Sequence, residues 1–516
     1  MSQDISWISG LLFIIYLFTL VVYRIYFHPL SRFPGPKLAA ATGWYETYID
    51  LLQWPQGNFM EEIDRMHYKY GPIVRINPHE IHVRDSKWID TLYASPAHGR
   101  RDKYPPTAYM TGTPKGVFGT VSHDLHKLRR SAISPLFSKT AAISALPMIY
   151  DHTEKLINRI ETQMARDGFA EMRTNCLAFT TDNIAQFSTG RSRGLLESEE
   201  LAVQWRHSIK NLAEWTLVAR HFSWLIPLTL EMPMCLLKVI VPNFSRVIEL
   251  HRDMRELAKS CIEMGSESDL AATKKDPSSP DIFHAILSNE HLPLAEKADH
   301  RISQEGVVAI AAGGETTARA ITTALYFVLE NKGSLRRELK EELEHAMPDP
   351  YIRLPLRELE ALPCLSNIVK ESLRIMALPT TRFPLVCPVE RLRYHDWVIP
   401  AGTPVSMTLR EVLLDQSVFD RPHEFLPERW TVKGEEFEKL NRCFVPFGRG
   451  NRMCIGINFA YAEIYIALAC IFRRLALELY ETYRERDIDI VRDCFIGETS
   501  ISTQGIRVTY ARDSQE

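Results

Sequence analysis

The sequence lacks the features that would divide it into separate units or suit it to nucleic acid. It contains no Gly/Ser linker, no low-complexity tract and no internal repeat, so one large domain is expected although 516 residues could form two or three. The 61 basic and 64 acidic residues leave a formal charge of −3 without a basic block, which argues against a nucleic-acid partner. The most polar interval, residues 265–280, is short and is interpreted as a surface loop.

Cysteine is present in a pattern that fits neither a disulfide framework nor a common zinc site. The nine cysteines are an odd number at irregular spacings, which favours reduced thiols in a cytosol-facing domain. No C-x-x-C or H-x-x-x-H pair lies near Cys454, so a zinc ion is disfavoured there. No G-x-G-x-x-G motif follows a predicted strand, which excludes the usual flavin or nicotinamide fingerprint.

A long apolar run lies near the N-terminus. Residues 5–23 carry no charge, and about nineteen such residues suffice to cross a bilayer as one helix. Asp4 precedes the run and basic residues follow it from Arg24 onward, which places the following domain on the cytosolic side. A cleaved signal peptide is the alternative, but the run is too long and no basic segment precedes it. We therefore expect a single transmembrane helix.

The chain is expected to have three parts: a membrane anchor over 1–26, a hinge over 27–49 and a catalytic domain over 50–516. Phe33-Pro34-Gly35-Pro36 stiffens and bends the hinge. Asn243 begins a glycosylation motif that a cytosolic domain would leave unused. Most of 50–504 has a helical pattern, and short β signals lie at 73–76, 81–83, 397–399 and 404–407, with a turn at 400–403. The pattern predicts a mainly α fold with small peripheral β-sheets.

The most informative stretch is a cysteine loop, Phe447-Gly448-Arg449-Gly450-Asn451-Arg452-Met453-Cys454-Ile455-Gly456. Gly450 permits a backbone conformation that other residues avoid, and Gly456 leaves room for a flat macrocycle near the main chain. The helix predicted after the loop favours an anionic Cys454 thiolate at its N-terminus. These features are typical of a cysteine that ligates haem iron, with Arg452 in reach of a haem propionate. An ordinary buried cysteine is the alternative.

This loop resembles the haem-binding signature of the cytochrome P450 family, F-G-x-G-x-R-x-C-x-G, at every fixed position. The resemblance extends from about residue 33 to the C-terminus. It implies one triangular cytochrome P450 fold, in which haem b lies between two long helices. It also implies Cys454 as the axial ligand of the haem iron, with Phe447, Gly448, Arg452 and Gly456 beside the cofactor.

A second motif lies in an almost uncharged helical stretch, residues 306–329. Ala312-Gly313-Gly314-Glu315-Thr316-Thr317 resembles the family's oxygen-binding pattern, A/G-G-x-D/E-T-T/S. Two adjacent glycines cost a helix on the order of 1 kcal/mol each, and a buried acid costs more unless it is paired or hydrated, so packing alone is not expected to explain them. The resemblance implies that Gly313 and its neighbour open the helix beside the cofactor, and that Glu315 and Thr316 supply and relay protons. A helix kink with a solvated glutamate is the alternative.

Two acid–base sets complete the site residues suggested by the sequence. Glu371 and Arg374 share a helix face, and Arg429 in a P-E-R-W run resembles the third member of a buried group that orients the family's core. A surface pair is the alternative. His126 and Arg130, four residues apart, are expected to bond haem propionates, although many relatives have Trp at the first position. A solvated basic face is the alternative there.

The resemblance implies a haem-thiolate monooxygenase on the cytosolic face of the endoplasmic reticulum membrane, acting with O2 on a small hydrophobic substrate. Electrons are expected from NADPH through a separate NADPH-cytochrome P450 reductase, with cytochrome b5 as a further candidate donor. Arg382 is a weaker candidate for a propionate. The basic residues expected to meet an acidic flavin domain are Lys127, Arg129, Arg442 and Arg449.

The substrate is the least readable part of the sequence. Its expected pocket walls are apolar segments with scattered hydroxyls at 104–118, before Gly313, at 378–385 and at 495–501. Residues 26–40 resemble filamentous-fungal members of secondary metabolism, which favours hydroxylation or epoxidation of a terpenoid or polyketide intermediate. Two other classes stay open: a thiolate-haem isomerase or dehydratase that acts without O2, and a non-catalytic haem sensor or carrier.

Overall fold

The computed structural model describes residues 2–94, 99–230, 232–233, 236, 245–266, 281–331 and 333–511. Within these ranges the protein is mainly helical, and its strands form four small sheets. Asn243 and residues 267–280, on which a glycosylation motif and most of a surface loop were predicted, lie outside the described residues.

The α-helices of the described residues are α1 (Ser2–Val22), α2 (Lys37–Ala41), α3 (Trp44–Thr47), α4 (Phe59–Tyr70), α5 (Ile89–Leu92), α6 (His123–Ile133), α7 (Lys139–Ser144), α8 (Leu146–Asp167), α9 (Met172–Thr189), α10 (Glu199–His221), α11 (Leu225–Leu230), α12 (Ser245–Ser266), α13 (Ile282–Leu287), α14 (Asp299–Glu330), α15 (Leu335–Ala346), α16 (Leu356–Glu360), α17 (Pro363–Met376), α18 (Leu409–Leu413), α19 (Glu435–Cys443), α20 (Ile457–Arg474) and α21 (Arg484–Asp487).

The strands are β1 (Ile73–Arg75), β2 (Ile81–Val83), β3 (Asp102–Lys103), β4 (Ala170–Glu171), β5 (Leu385–Val386), β6 (Leu392–Tyr394), β7 (Trp397–Ile399), β8 (Pro404–Ser406), β9 (Leu477–Leu479), β10 (Arg492–Cys494), β11 (Ile496–Glu498) and β12 (Arg507–Tyr510). The largest sheet has the order β1-β2-β8-β5-β3, in which β2 and β8 are parallel and the other neighbours antiparallel. The remaining sheets are β4-β12-β9, β6-β7 and β10-β11. All four predicted β segments are strands; the others were missed because runs of two to four residues show little alternation.

Helix α14 runs through the centre of the body. Its residues 317–328 are all buried, and it packs against α9, α12, α17 and α20. Apolar side chains of α14, α8, α9 and α20 belong to one large core cluster. The helix that carries Glu315 and Thr316 therefore packs against the helix that follows the cysteine loop. The predicted mainly α fold with peripheral sheets is confirmed.

The N-terminal helix lies outside this packed body. Among the described residues, 6–27 form the single unbent helix that is long and apolar enough to cross a membrane, and none of that stretch is buried. A second candidate, the bent pair from His123 to Asp167, passes the same test only when counted as one span. It contributes buried side chains to the core cluster. One apolar N-terminal helix is thus consistent with the expected anchor.

The segment after this helix is bonded to the body. The buried Arg75 donates a hydrogen bond to the carbonyl oxygen of Arg24 at 2.8 Å. Gly35 has a φ of +156°, and a Cβ there would lie 2.4 Å from the carbonyl oxygen of Arg75. Phe33 stacks on Trp397 with ring centroids 5.0 Å apart. The proline-rich hinge therefore packs closely against β1 and β7.

Candidate active site

The cysteine loop, residues 447–456, is a tight turn that leads into α20. Gly448 and Gly450 both have a φ of +73°, which residues with a side chain rarely adopt. A Cβ at Gly450 would also lie 2.5 Å from the carbonyl oxygen of Tyr93. The backbone N–H of Cys454 donates to the carbonyl oxygen of Phe447 at 2.8 Å. These constraints place Cys454 immediately before the helix, as the sequence predicted.

Cys454 is accessible to small molecules although protein atoms surround it. Burial raises the pKa of its thiol, while a hydrogen bond from the Gly456 N–H and the positive charge of Arg130 lower it. The exposed sulfur leaves room for a ligand to approach it. A Cβ at Gly456 would meet, among the described atoms, the Cys454 sulfur at 4.0 Å and nothing closer. The glycine therefore keeps the space beside the sulfur open.

Four basic side chains gather beside the loop: Lys103, His126, Arg130 and Arg452. His126 is 4% exposed, and burial together with the charges of Arg452, Arg130 and Lys103 lowers its pKa to about 3. Burial lowers the pKa of Arg452 to about 10. Burial and the charge of Arg452 hold the pKa of Lys103 well below its ordinary value. Arg130 donates to the carbonyl oxygen of Met453 at 2.8 Å. This crowding of positive charge is the main electrostatic feature of the site.

This cationic cluster fits the propionates of a haem. Buried cations destabilise one another unless an anion joins them, and Asp102 offsets only part of the charge on Arg452. The buried Nε of Arg452 has no hydrogen-bond partner among the residues that the structure describes. With the accessible sulfur of Cys454, these residues suit an iron macrocycle that carries carboxylates. Lys103 was not predicted, because a single lysine in a two-residue strand gives no sequence signal.

The two glycines of α14 serve helix packing. The helix continues through them without a break from Asp299 to Glu330. A Cβ at Gly313 would lie 2.7 Å from Cγ1 of Ile184, and a Cβ at Gly314 would lie 2.6 Å from Oγ1 of Thr181. Both clashes are with α9, so the glycines allow the two helices to pack closely. The expectation that packing has no use for these glycines is therefore wrong, while the proximity of Gly313 to the cofactor stays a prediction.

Glu315 lies in a buried ion-pair cluster. It is 3% exposed and accepts hydrogen bonds from Arg173 at 2.9 Å and from Arg319 at 3.0 Å. Both arginines also contact Glu498, each at 3.2 Å. Two acids and two arginines balance in charge, which compensates the cost of burying them. The solvated glutamate considered as an alternative is excluded here, and a role for Glu315 in proton supply stays a prediction.

Thr316 belongs to the accessible part of α14. Residues 308, 309, 311–313 and 316 are partly or fully exposed, in contrast to the buried residues that follow. The Thr316 hydroxyl donates to the carbonyl oxygen of Ala312 at 2.8 Å. Its lone pairs can therefore accept a hydrogen bond from a water molecule or a substrate.

Glu371, Arg374 and Arg429 form the predicted acid–base group. Glu371 and Arg374 are fully buried and joined by two hydrogen bonds of 2.9 and 2.8 Å. Nε of Arg429 donates to Glu371 at 3.0 Å, and so does Nε1 of Trp430, which was not predicted. Arg374 also donates to three main-chain carbonyl oxygens. The predicted geometry is confirmed, and the surface pair considered as an alternative is excluded.

Two predicted basic residues are engaged elsewhere. Arg382 donates to Glu46 at 2.6 Å and to Glu80 at 2.9 Å. Burial lowers the pKa of Arg382, but these two carboxylates outweigh it and hold that pKa above its ordinary value. Arg129 is buried and bonded to Glu296 at 2.6 Å. The candidate roles of Arg382 at a propionate and of Arg129 on a docking surface are therefore corrected.

Comparison with known proteins agrees with this geometry. The family model described as Cytochrome P450 matches residues 42–500. The cytochrome P450 monooxygenase MO6277 of Ascocoryne sarcoides is 36% identical over 503 residues, which cover 96% of this chain and 97% of that protein. The tryptophan 6-hydroxylase fscE of Fusarium equiseti is 36% identical, covering 97% and 96%. The N-acetyltryptophan 6-hydroxylase ivoC of Emericella nidulans is 35% identical, covering 93% and 92%.

These matches span nearly the whole chain, and the matched proteins are full-length fungal monooxygenases. They explain why an accessible cysteine lies beside a cluster of basic side chains. The chain therefore belongs to the cytochrome P450 family and is a monooxygenase that uses haem b with electrons from a redox partner.

Proposed function

We propose that the protein hydroxylates or epoxidises a small hydrophobic intermediate of a fungal secondary-metabolite pathway, with O2 and electrons derived from NADPH. The observation that supports this chemistry best is the accessible sulfur of Cys454 beside the basic side chains of Lys103, His126, Arg130 and Arg452. When bound to a thiolate, haem activates dioxygen so that one oxygen atom enters the substrate and the other leaves as water.

In this proposal the residues of the cysteine loop hold and tune the cofactor. Cys454 would hold the haem iron through its thiolate, and the Gly456 N–H and the Arg130 charge favour that thiolate because both lower the pKa of the thiol. Arg452, Arg130 and His126 would bind the propionates, and Lys103 is a further basic residue beside them that the sequence did not suggest. Phe447, whose ring lies 5.2 Å from that of Tyr461, packs the loop against α20.

Thr316 and Glu315 are proposed to deliver protons. The Thr316 hydroxyl hydrogen is directed to Ala312, so Oγ1 accepts a hydrogen bond and holds a proton-donating water on the accessible face of α14. Glu315 would supply protons by exchanging one of its two arginine partners for water. That exchange breaks a buried ion pair, so proton supply through Glu315 would be gated by the movement of Arg173 or Arg319.

We also propose a single-pass anchor in the endoplasmic reticulum membrane, with the catalytic domain in the cytosol and NADPH-cytochrome P450 reductase as the electron donor. Lys127 is exposed and is offered as one docking residue. Arg442 and Arg449 both bond Asp90, at 2.9 and 2.7 Å, so this carboxylate already offsets part of their charge. The basic docking surface is therefore smaller than the sequence suggested. Cytochrome b5 is a further candidate electron donor.

The substrate class is open between the terpenoid or polyketide intermediate suggested by the hinge sequence and an indole compound. Two of the relatives are named as hydroxylases of tryptophan or N-acetyltryptophan. Both classes present an unactivated C–H bond or a ring carbon to the same chemistry.

The test is oxygen-dependent turnover by the full chain in microsomes that contain reductase and NADPH. A panel of tryptophan, N-acetyltryptophan, terpenoid and aromatic polyketide compounds is incubated under 18O2. We expect one labelled oxygen atom in the product, and no product without NADPH. Product that forms equally well without O2 would overturn the monooxygenase proposal in favour of an isomerase. Haem binding without turnover of any compound would favour a sensor or carrier.

A further inference from the structure

Three phenylalanines from distant parts of the chain meet in one cluster. The rings of Phe118, Phe383 and Phe495 lie with centroids 6.0, 5.9 and 5.6 Å apart, and every pair is edge-to-face with interplanar angles of 84°, 77° and 73°. Each comes from a different segment that the sequence suggested as a pocket wall. All three rings are partly exposed, although most of their sequence neighbours are buried. Part of each aromatic ring is therefore open to contact with a ligand.

Two polar anchors hold this phenylalanine cluster in place. The buried Lys103 donates to the carbonyl oxygen of Phe118 at 2.6 Å, and its Nζ lies 3.5 Å from the centroid of the Phe118 ring. Lys103 also pairs with Leu385 between β3 and β5, two residues beyond Phe383. The backbone of Phe118 and the strand next to Phe383 are thus fixed by one lysine.

Asp493 is the second anchor. Its Oδ1 accepts hydrogen bonds from the hydroxyls of Thr380 and Thr381, at 2.9 and 2.6 Å, and from the backbone N–H of Phe495 at 3.2 Å. Phe495 forms the tip of the β10-β11 hairpin with a φ of +71°, which is rare for a residue with a bulky side chain. A disfavoured backbone that surrounding bonds enforce is typical of a binding site.

The phenylalanine cluster borders the candidate active site on two sides. Arg452 donates to the carbonyl oxygens of Thr120 and Val121, just after Phe118, at 2.8 Å each. Arg319, the partner of Glu315, donates to the carbonyl oxygen of Gly497, two residues after Phe495, at 2.8 Å. The rings therefore lie between the segment bonded to the haem-binding loop and the hairpin bonded to the central helix.

We propose that Phe118, Phe383 and Phe495 determine substrate specificity by selecting a planar aromatic ring system over a saturated skeleton of the same size. Aromatic rings attract one another edge-to-face beyond the area that they bury, whereas a saturated ring gains only the area term. This inference rests on the proposed function only in taking the space beside these rings as the substrate site, and it narrows the substrate to an aromatic compound.

The test compares 2-naphthol with decahydro-2-naphthol, which share one carbon skeleton and one hydroxyl. Each is titrated into the full-length haem-loaded protein, and binding is followed by the Soret band without NADPH. We expect 2-naphthol to bind roughly tenfold more tightly, because several edge-to-face contacts act together. Equal binding, or tighter binding of the saturated compound, would overturn the inference.

Variants of two of the three rings test this assignment. Phe495→Leu and Phe383→Leu should reduce it to about threefold or less while leaving decahydro-2-naphthol affinity nearly unchanged. Phe495→Tyr should retain it, which guards against a fold defect. Phe169→Leu is the matched control, because Phe169 stacks on Tyr480 at 5.2 Å in another part of the molecule. An undiminished preference for 2-naphthol in both Phe495→Leu and Phe383→Leu would contradict the assignment.

This binding test is independent of turnover. A protein that prefers 2-naphthol but forms no O2-dependent product would retain the inference and lose the proposed function. A protein that oxidises substrates but binds both probes equally would retain the proposed function and lose the inference.

Discussion

At the scale of single residues, Cys454 combines accessibility with an interior position. The loop glycines and the start of α20 determine that position, and the Gly456 N–H and Arg130 lower the pKa of a thiol that burial alone would raise. A neutral hydroxyl at the same position cannot donate electron density as a thiolate does.

Cys454→Ser is therefore expected to abolish the red-shifted Soret band of the reduced, carbon-monoxide-bound protein. The absorption spectrum of the purified variant checks this, with Cys470→Ser, a buried cysteine of α20, as the control that keeps the band. An unchanged band in the Cys454 variant would remove this residue as the ligand.

Thr316 and Glu315 are adjacent in the sequence, but the structure predicts different effects of their substitution. Thr316→Ala should still bind haem and consume NADPH, while less product and more hydrogen peroxide form per NADPH because the proton-donating water is held less well. Glu315→Ala should lose holoprotein, at a cost of about 3–5 kcal/mol, because two buried arginines lose a partner. Glu315→Gln keeps the hydrogen bonds and isolates the effect on proton supply.

Coupling is measured as product and peroxide per NADPH consumed. Wild-type coupling in Thr316→Ala would contradict the relay. A Glu315→Gln enzyme that folds and turns over at the wild-type rate would leave Glu315 with a structural role only.

At the scale of structural elements, the Glu371 group joins α17 to the segment before the cysteine loop. Arg374→Ala leaves the Glu371 carboxylate buried with one cation fewer and frees three carbonyl oxygens, so we expect a loss of about 3–5 kcal/mol and little holoprotein. Haem content and thermal unfolding report the outcome. Arg421→Ala removes an exposed ion pair of the same type and should change stability by less than about 1 kcal/mol. Similar stability of both variants would place the group outside the core.

A buried histidine pair joins α4 to the largest sheet. His67 Nδ1 donates to the carbonyl oxygen of Gly71 at 2.8 Å, so its Nε2 accepts from His82 Nδ1 at 2.7 Å, and His82 Nε2 accepts from Thr408 at 3.0 Å. This arrangement requires both rings to be neutral. Burial accordingly lowers the pKa of His67 from 6.5 to about 4, against a smaller opposite effect of the Gly71 bond.

A lowered histidine pKa makes stability depend on pH with a definite sign. The unfolded chain protonates His67 first, so its contribution is complete above pH 6.5 and is lost as the pH falls towards 4. We expect the free energy of unfolding to drop by about 2 kcal/mol from this residue by about pH 5. Urea unfolding is compared above pH 6.5 and at about pH 5. The free energy of unfolding should drop less for His67→Gln than for His207→Gln, an exposed control. Equal drops in the two variants would contradict the prediction.

At the scale of the whole molecule, α1 is exposed whereas the residues after it are bonded to the domain. Deletion of residues 2–22 retains Arg24, whose carbonyl oxygen accepts from the buried Arg75. The truncated protein should keep its haem spectrum and lose most of its membrane attachment. Residual attachment is expected through exposed apolar side chains near the hinge, which include Trp44, Leu52, Trp54 and Trp224.

Sedimentation with phospholipid vesicles after a high-salt wash measures this attachment. In the truncated protein, Trp44→Ser with Trp54→Ser should release the remainder, whereas Tyr68→Ser, an exposed aromatic of α4, should not. Full retention of the truncated protein would show that α1 is not the main anchor.

The sequence by itself determined the family and the candidate membrane helix, and it predicted Cys454 as the haem ligand. Each depends on local information: a loop whose glycines must adopt positive φ, a helix start that follows it, and an uninterrupted apolar run. The Glu371 group was also predictable, because two of its members lie on one helix face.

Only the tertiary structure decided which charged side chains are unpaired and which aromatic rings meet in the phenylalanine cluster. Arg129 is paired with a carboxylate 167 positions away, and Arg382 with one 336 positions away. Glu315 is paired with an arginine 142 positions away, and Lys103 joins the basic side chains beside the cysteine loop. The three phenylalanines meet across most of the chain. Such contacts have no local signature, because the charge and shape around a side chain are set by whichever distant segments the fold brings to it.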